Sequence, residues 1–181
     1  MSSSANPFDL LINLAGRSIK HAAGLPAQEE AIELWNGIGF TVAQMHFVSG
    51  MGTISEILHL PKYTAIPGVR SWILGVANVR GRLLPIMDLA RYFGLPQGAV
   101  KSRDKRVLVV EQDDILSGFV VDSVQGMQYF SAETFVSGAA RDLPAGIRPY
   151  VTGKYVKNNL SWHVFDSYEL IEDEKFLEVA V

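Results

Sequence analysis

The 181 residues carry 16 Lys and Arg against 19 Asp and Glu, a net charge of −3, with 48% hydrophobic residues and no cysteine. A chain of this size removes roughly 70% of its unfolded surface from water, enough for one domain or for two small ones sharing a core. The lack of cysteine excludes disulfides, thiolate zinc sites and thiol nucleophiles, and the acidic balance lacks the basic field that nucleic-acid phosphates demand.

Residues 1–6 are polar, with neither a basic nor an apolar leader region, so no signal peptide is expected. Asn6 is placed to cap a helix that begins at Pro7. Phe8, Leu11, Leu14, Ala15, Ser18, Ile19 and Ala22 recur at helical spacing, and Gly24 and Pro26 stop the pattern. The apolar stripe of this helix must pack on the chain's own body or on a partner. No stretch approaches the about 18 uncharged apolar residues of a membrane helix, so a cytoplasmic protein without membrane insertion is expected.

From Trp35 the period changes. Phe40, Val42, His46 and Val48, then Ile54 and Ile57, predict strands, with Ser49-Gly50-Met51-Gly52 as a hairpin turn. Strands follow at residues 72–78 and 82–87, separated by Arg80-Gly81. The run Lys101-Ser102-Arg103-Asp104-Lys105-Arg106 reads as a solvated loop. Residues 106–111 and 115–121 flank Gln112-Asp113-Asp114, and residues 151–156 and 160–165 complete the set. Many short strands at this spacing predict an all-β barrel or sandwich with a few short helices.

One pattern occurs twice at a constant shift. Trp72, Gly75, Arg80-Gly81 and Asp88 reappear as Tyr150, Gly153, Asn158-Asn159 and Asp166, each with an apolar strand before the aspartate. A short amphipathic stretch follows each aspartate, so Asp88 and Asp166 are expected as helix N-caps, with Gly94 closing the first stretch. Two copies of strand, turn, strand, cap and helix suggest two similar barrels. Asn-Asn suits a tight turn with positive φ better than Arg-Gly does. The long Arg80 therefore reads either as a solvated turn residue or as a fork of donors kept for a partner's carboxylate or helix-end carbonyls.

Pro67-Gly68, the Gly75-Val76 pair, Asn78-Val79-Arg80-Gly81 and Pro85-Ile86-Met87-Asp88-Leu89, in this order, resemble the signature of the CheW family. Ser55-Glu56-Ile57 upstream, and residues 107–110 with Gly118-Phe119-Val120-Val121-Asp122 downstream, extend the resemblance over about residues 33–172. It implies two five-stranded SH3-like barrels packed together with a groove between them, about 33–100 and about 101–172, after an N-terminal helical arm of residues 1–32 and before a tail of residues 173–181. It also implies a non-enzymatic adaptor without cofactors. Its partners would be the helical tip of a methyl-accepting chemoreceptor and the regulatory domain of a CheA-type histidine kinase, met at receptor arrays under the inner membrane.

The arm, Trp35-Asn36-Gly37-Ile38-Gly39-Phe40 and residues 72–85 are similar to the branch of the family that serves type IV pili and twitching motility. A flagellar chemotaxis array is the alternative. The arm and residues 41–53, longer and more apolar than the family's usual acidic hairpin, depart from ordinary members. Carried over by matching position, Arg80 is the receptor-binding arginine, and Glu56, Ile54, Gly75 and Asn78 lie on the receptor-facing surface. Glu56 also reads as an ordinary exposed carboxylate, and Ile54 and Gly75 as strand packing or close backbone approach. Val120 and Val121 read as lining for a partner groove or kinase contact, or as core strand.

Enzymatic readings lack support. Gly37-x-Gly39 has no third glycine for a dinucleotide loop, and neither a phosphate-binding loop nor a Gly-x-Ser-x-Gly elbow occurs. His21, His46, His59 and His163 show no metal-ligand spacing, and Asp88 and Asp166 are explained as caps without invoking paired acids. A nucleic-acid-binding barrel, the remoter alternative, would need a basic aromatic face.

Overall fold

The computed structural model describes Phe8, Leu11, Ile12 and residues 14–17, 34–96, 100–112 and 115–181. The chain divides into two units, Met1–Ile32 and Glu33–Val181. In the first, the described residues are helical and exposed. The expected cap at Asn6 and Pro7, the stripe positions Ser18, Ile19 and Ala22, and the stop at Gly24 and Pro26 lie outside the described residues.

In the second unit, β1 (Leu34–Val42) and β2 (Met45–Gly50) form an antiparallel hairpin. Its two turn residues, Ala43 and Gln44, stand at φ 48° and 68°. Neither favours that region, and the buried Asp122 carboxylate holds the turn by accepting from the Ala43 N–H at 2.7 Å. The hairpin turn expected over residues 49–52 is instead a crossing between sheets. β3 (Ile54–His59) does not pair with β2, and only the Thr53 N–H bonded to the Gly50 carbonyl at 3.3 Å closes a turn there.

The remaining strands are β4 (Ile73–Val79), β5 (Arg82–Asp88), β6 (Arg106–Gln112), β7 (Ile115–Val121), β8 (Ser123–Ser131), β9 (Phe135–Ser137), β10 (Val151–Lys157) and β11 (Leu160–Phe165). They make two sheets, one of six strands in the order β8-β1-β2-β11-β10-β9 and one of five in the order β3-β6-β7-β5-β4. All pairings are antiparallel except β2 with β11 and β5 with β7. The fold class is the expected one, all-β with short helices, although one sheet has a sixth strand.

Neither sheet stops at residue 100. The hairpin β1–β2 joins strands of the second half, and the hairpin β6–β7 joins strands of the first. The two repeats thus exchange their leading hairpins, and the contiguous halves expected from the repeat give way to interleaved sheets. Local turns specify each hairpin, but only burial of its apolar faces decides which sheet it enters.

The repeat itself is visible in the backbone. β5 ends with, and β11 is directly followed by, an aspartate whose N–H bonds back to the residue that opens the repeat, Asp88 to the Trp72 carbonyl at 2.8 Å and Asp166 to that of Tyr150 at 2.9 Å. Asp88 caps α1 (Leu89–Tyr92) by accepting from the Arg91 N–H at 3.1 Å. Asp166 caps α2 (Ser167–Glu172) by accepting from the N–H groups of Tyr168 and Glu169. Gly75 stands at φ 147°, and a Cβ there would collide with the Thr64 carbonyl. That close approach lets Thr64 bridge to Val76 and carry the chain leaving β3 across to β4.

Three apolar clusters result. Ala77, Leu84, Ile86, Val107, Val109 and Val120 fill the five-stranded side. Val48, Phe130, Tyr155 and Trp162 fill the six-stranded side. The largest cluster lies between them, with Phe40, Phe47, Trp72, Tyr92, Phe119, Tyr150 and Phe165 among its members. Residues 173–181 are not a loose tail. α3 (Glu174–Leu177) buries Phe176 against Trp72, the rings stacked at 5.7 Å, and Ala180 bridges to Val69. Asp173 caps this helix and accepts from the Tyr150 hydroxyl at 2.5 Å, a bond that holds its carboxyl below the usual range.

Candidate functional site

Asn78 ends the outward part of β4, and the chain must reverse within two residues to start β5. Arg80 and Gly81 do this at φ 52° and 82°, with the Gly81 N–H donating to the Asn78 Oδ1 at 2.9 Å. An arginine in the left-handed region costs about 1 kcal/mol or more relative to glycine. The conformation aims its guanidinium at β3, where Glu56 stands beside a shift of register between Ile54 and Glu56. The two side chains meet at two points, Nη2 to Oε1 at 2.6 Å and Nη1 to Oε2 at 3.2 Å. The Arg80 side chain is 77% exposed and that of Glu56 29%, so the pair sits on the rim of the surface with the guanidinium outermost.

A second pair runs beside the first. Arg82 opens β5 and grips Glu111 on β6, Nη2 to Oε1 at 2.6 Å and Nη1 to Oε2 at 3.1 Å. The hydrogen bond and the charge attraction raise the arginine's pKa and lower the carboxyl's. Both pairs line one cleft of about 190 Å3, floored by Val79, Leu84, Val109 and Leu116 from the end of the five-stranded core. An apolar floor between paired charges suits an inserted side chain of a protein partner. Each guanidinium already holds one carboxylate, so any further acceptor would have to compete for the fork.

The fold therefore brings Arg80 and Glu56 together. Asn78 adjoins them, but its side-chain oxygen is committed to the turn. Ile54 is half-buried against the main core opposite Val110, and Gly75 serves the Thr64 bridge, so both have packing roles. Val120 and Val121 are 2% and 1% exposed, on opposite faces of β7, and belong to two core clusters. The expectation that they line a groove gives way to the core-strand reading. Arg82 and Glu111 escaped the sequence reading because each is a lone charge at a strand end, with no spacing to link them before β5 and β6 flank β7.

The profile of the CheW-like domain matches residues 36–175. Protein PilI of Pseudomonas aeruginosa is 45% identical over 181 residues, covering 100% of both chains. The chemotaxis protein CheW of Helicobacter pylori is 33% identical over 103 residues, 57% of this chain and 62% of that one. Among solved structures, the scaffolding protein TtCheW from Thermoanaerobacter tengcongensis superposes with a TM-score of 0.67 at 21% identity, covering 79% of this chain and 96% of that one. The paired sheets, the Asn-x-Arg-Gly turn and these likenesses together make the chain a member of the CheW-like family.

Proposed function

We propose that the chain is a non-enzymatic adaptor that couples a methyl-accepting chemoreceptor to a CheA-type histidine kinase in a type IV pilus system. The observation that carries this reading is Arg80, held in a disfavoured backbone conformation so that its exposed guanidinium meets Glu56 at the mouth of an apolar cleft. Strain retained at an exposed turn points to function. The coiled-coil tip of the receptor docks there, inserting an apolar side chain between the charge pairs, and the kinase's regulatory domain takes separate surfaces at the ends of the barrels. Full-length likeness to PilI supports the pilus system over a flagellar one. None of the described helices is long and apolar enough to cross a membrane, and the reading places the protein in the cytoplasm, recruited to receptor arrays. Each contact is weak alone and strengthened by assembly, because later contacts become intramolecular.

Arg80→Asp tests the site. Loss of a central charged anchor weakens binding of a receptor cytoplasmic fragment by about 2–4 kcal/mol in calorimetry, while the fold survives because the turn is exposed. Unchanged affinity would remove Arg80 from the interface.

A further inference from the structure

A second cleft, of about 410 Å3, is lined by Trp72, and its charge is unlike that of the first. Arg70, Arg91 and Lys175 line it together with Trp72, Tyr92 and Phe93, and among the described residues no carboxylate lines it. The first cleft carries two arginines and two glutamates. Three cations in one concavity, two of them only loosely paired with carboxylates outside the lining, stand out in a chain of net charge −3.

The cations are held in place from behind. Arg91 Nη1 donates to the Ser71 carbonyl at 3.3 Å, and its Nε lies a loose 3.9 Å from Asp88. Lys175 stands over the Tyr92 ring at 4.5 Å, set there because Phe176 stacks on Trp72. Arg70 already holds a carboxylate at the edge of the cleft. Glu178 accepts from its Nη2 at 3.3 Å, with the two side chains 44% and 70% exposed. An exposed pair of this geometry contributes little to folding and is readily exchanged.

We propose that this cleft binds an acidic peptide segment of a partner protein, whose carboxylates take Arg91 and Lys175 and displace Glu178 from Arg70. Carboxylate is the anion this face already accepts from its own C-terminal segment. Two arginine forks suit planar carboxylates, and the aromatic floor accommodates the apolar stems of a peptide. The site is separate from the Arg80 cleft and does not depend on its role.

The test uses the full chain and fluorescein-labelled hexaglutamate, followed by anisotropy at low salt. Binding that weakens at least tenfold in Arg70→Gln and in Arg91→Gln, and is unchanged in Arg80→Asp and in Lys101→Gln, supports the cleft. Arg70→Gln decides if Arg91→Gln unfolds, because among the described residues the Arg70 side chain is bonded only to the exposed Glu178. Affinity retained in Arg70→Gln, an equal loss in Lys101→Gln, or no binding at millimolar peptide overturns the proposal. Inorganic phosphate is the competitor arm. Displacement of the peptide by phosphate at matching concentration would make this a small-anion site and overturn the acidic segment.

Discussion

The turn at Arg80-Gly81 and the turn at Asn158-Asn159 join equivalent strands of the two repeats, and each sets two successive residues at positive φ. Asparagine tolerates that region, so the second repeat shows what the backbone prefers. The first repeat gives up that preference for a side chain that reaches Glu56. The caps differ in the same direction. Asp166 is half-exposed, and among the described residues its carboxylate bonds only to N–H groups of its helix. Asp88 is 3% exposed and adds the ammonium of Lys105 at 3.4 Å, itself only 14% exposed. One architecture thus carries a plain copy and a copy loaded with buried and exposed charge, and the proposed docking surface lies in the copy that departs from the plain one.

The caps test this contrast most severely. Asp166→Ala removes an exposed cap and lowers stability by about 1 kcal/mol. Asp88→Ala also leaves a largely buried ammonium unpaired, which brings the loss to about 3 kcal/mol. Urea denaturation of both variants would show it, and equal losses would mean that Lys105 escapes to water without penalty. Exchanging the turns is gentler. Asn158→Arg introduces backbone strain without a matching carboxylate and destabilises by about 1 kcal/mol. Arg80→Asn relieves similar strain but loses an exposed ion pair worth up to about 1 kcal/mol, so its stability stays near that of the parent while receptor binding falls. A large loss of stability in Arg80→Asn would make the pair structural and blunt the functional reading.

Much of this contrast was legible before any coordinates. The two turns, both caps and the strands from 72 to 87 and from 151 to 165 follow from Gly, Asn and Asp placed between apolar runs. Arg80 was marked by being the wrong residue for its turn. Four features were hidden for physical reasons. Ala43-Gln44 carries no turn chemistry and is held from afar by Asp122. β8 exposes Met127 and Tyr129 and sets Gly126 and Gln128 between Val124 and Phe130 on the face that packs, so its alternation is blurred. The exchange of hairpins depends on burial between the sheets, which no local signal records. Phe176 looked like part of a tail because its partners Trp72 and Tyr92 are distant in sequence.

A subtler difference lies inside the second strand of each repeat, where Pro85 in β5 has His163 as its counterpart in β11. His163 is 7% exposed, and its Nδ1 has no hydrogen-bond partner among the described residues. Burial, then the Lys154 ammonium paired across the sheet, and more weakly His46, hold its pKa below the usual value near 6.5, while Asp142, bonded to Lys154, opposes them. The unfolded chain therefore takes up this proton at a higher pH than the folded one. Above about pH 6.5 both forms are neutral and the residue leaves stability unchanged. As pH falls below that value the unfolded state gains the proton first, and stability drops until the folded pKa is reached. The slope cannot exceed one proton, about 1.4 kcal/mol per pH unit. The lowered carboxyls of Asp173 and Glu111 lose their contribution only at still lower pH. Denaturation at pH 7.5 and 5.5 should show the parent weakening and His163→Gln weakening less. Parallel pH responses in the two proteins would show that His163 is hydrated in the folded state, and the second repeat would then carry no buried titrating group on this strand to set against Pro85.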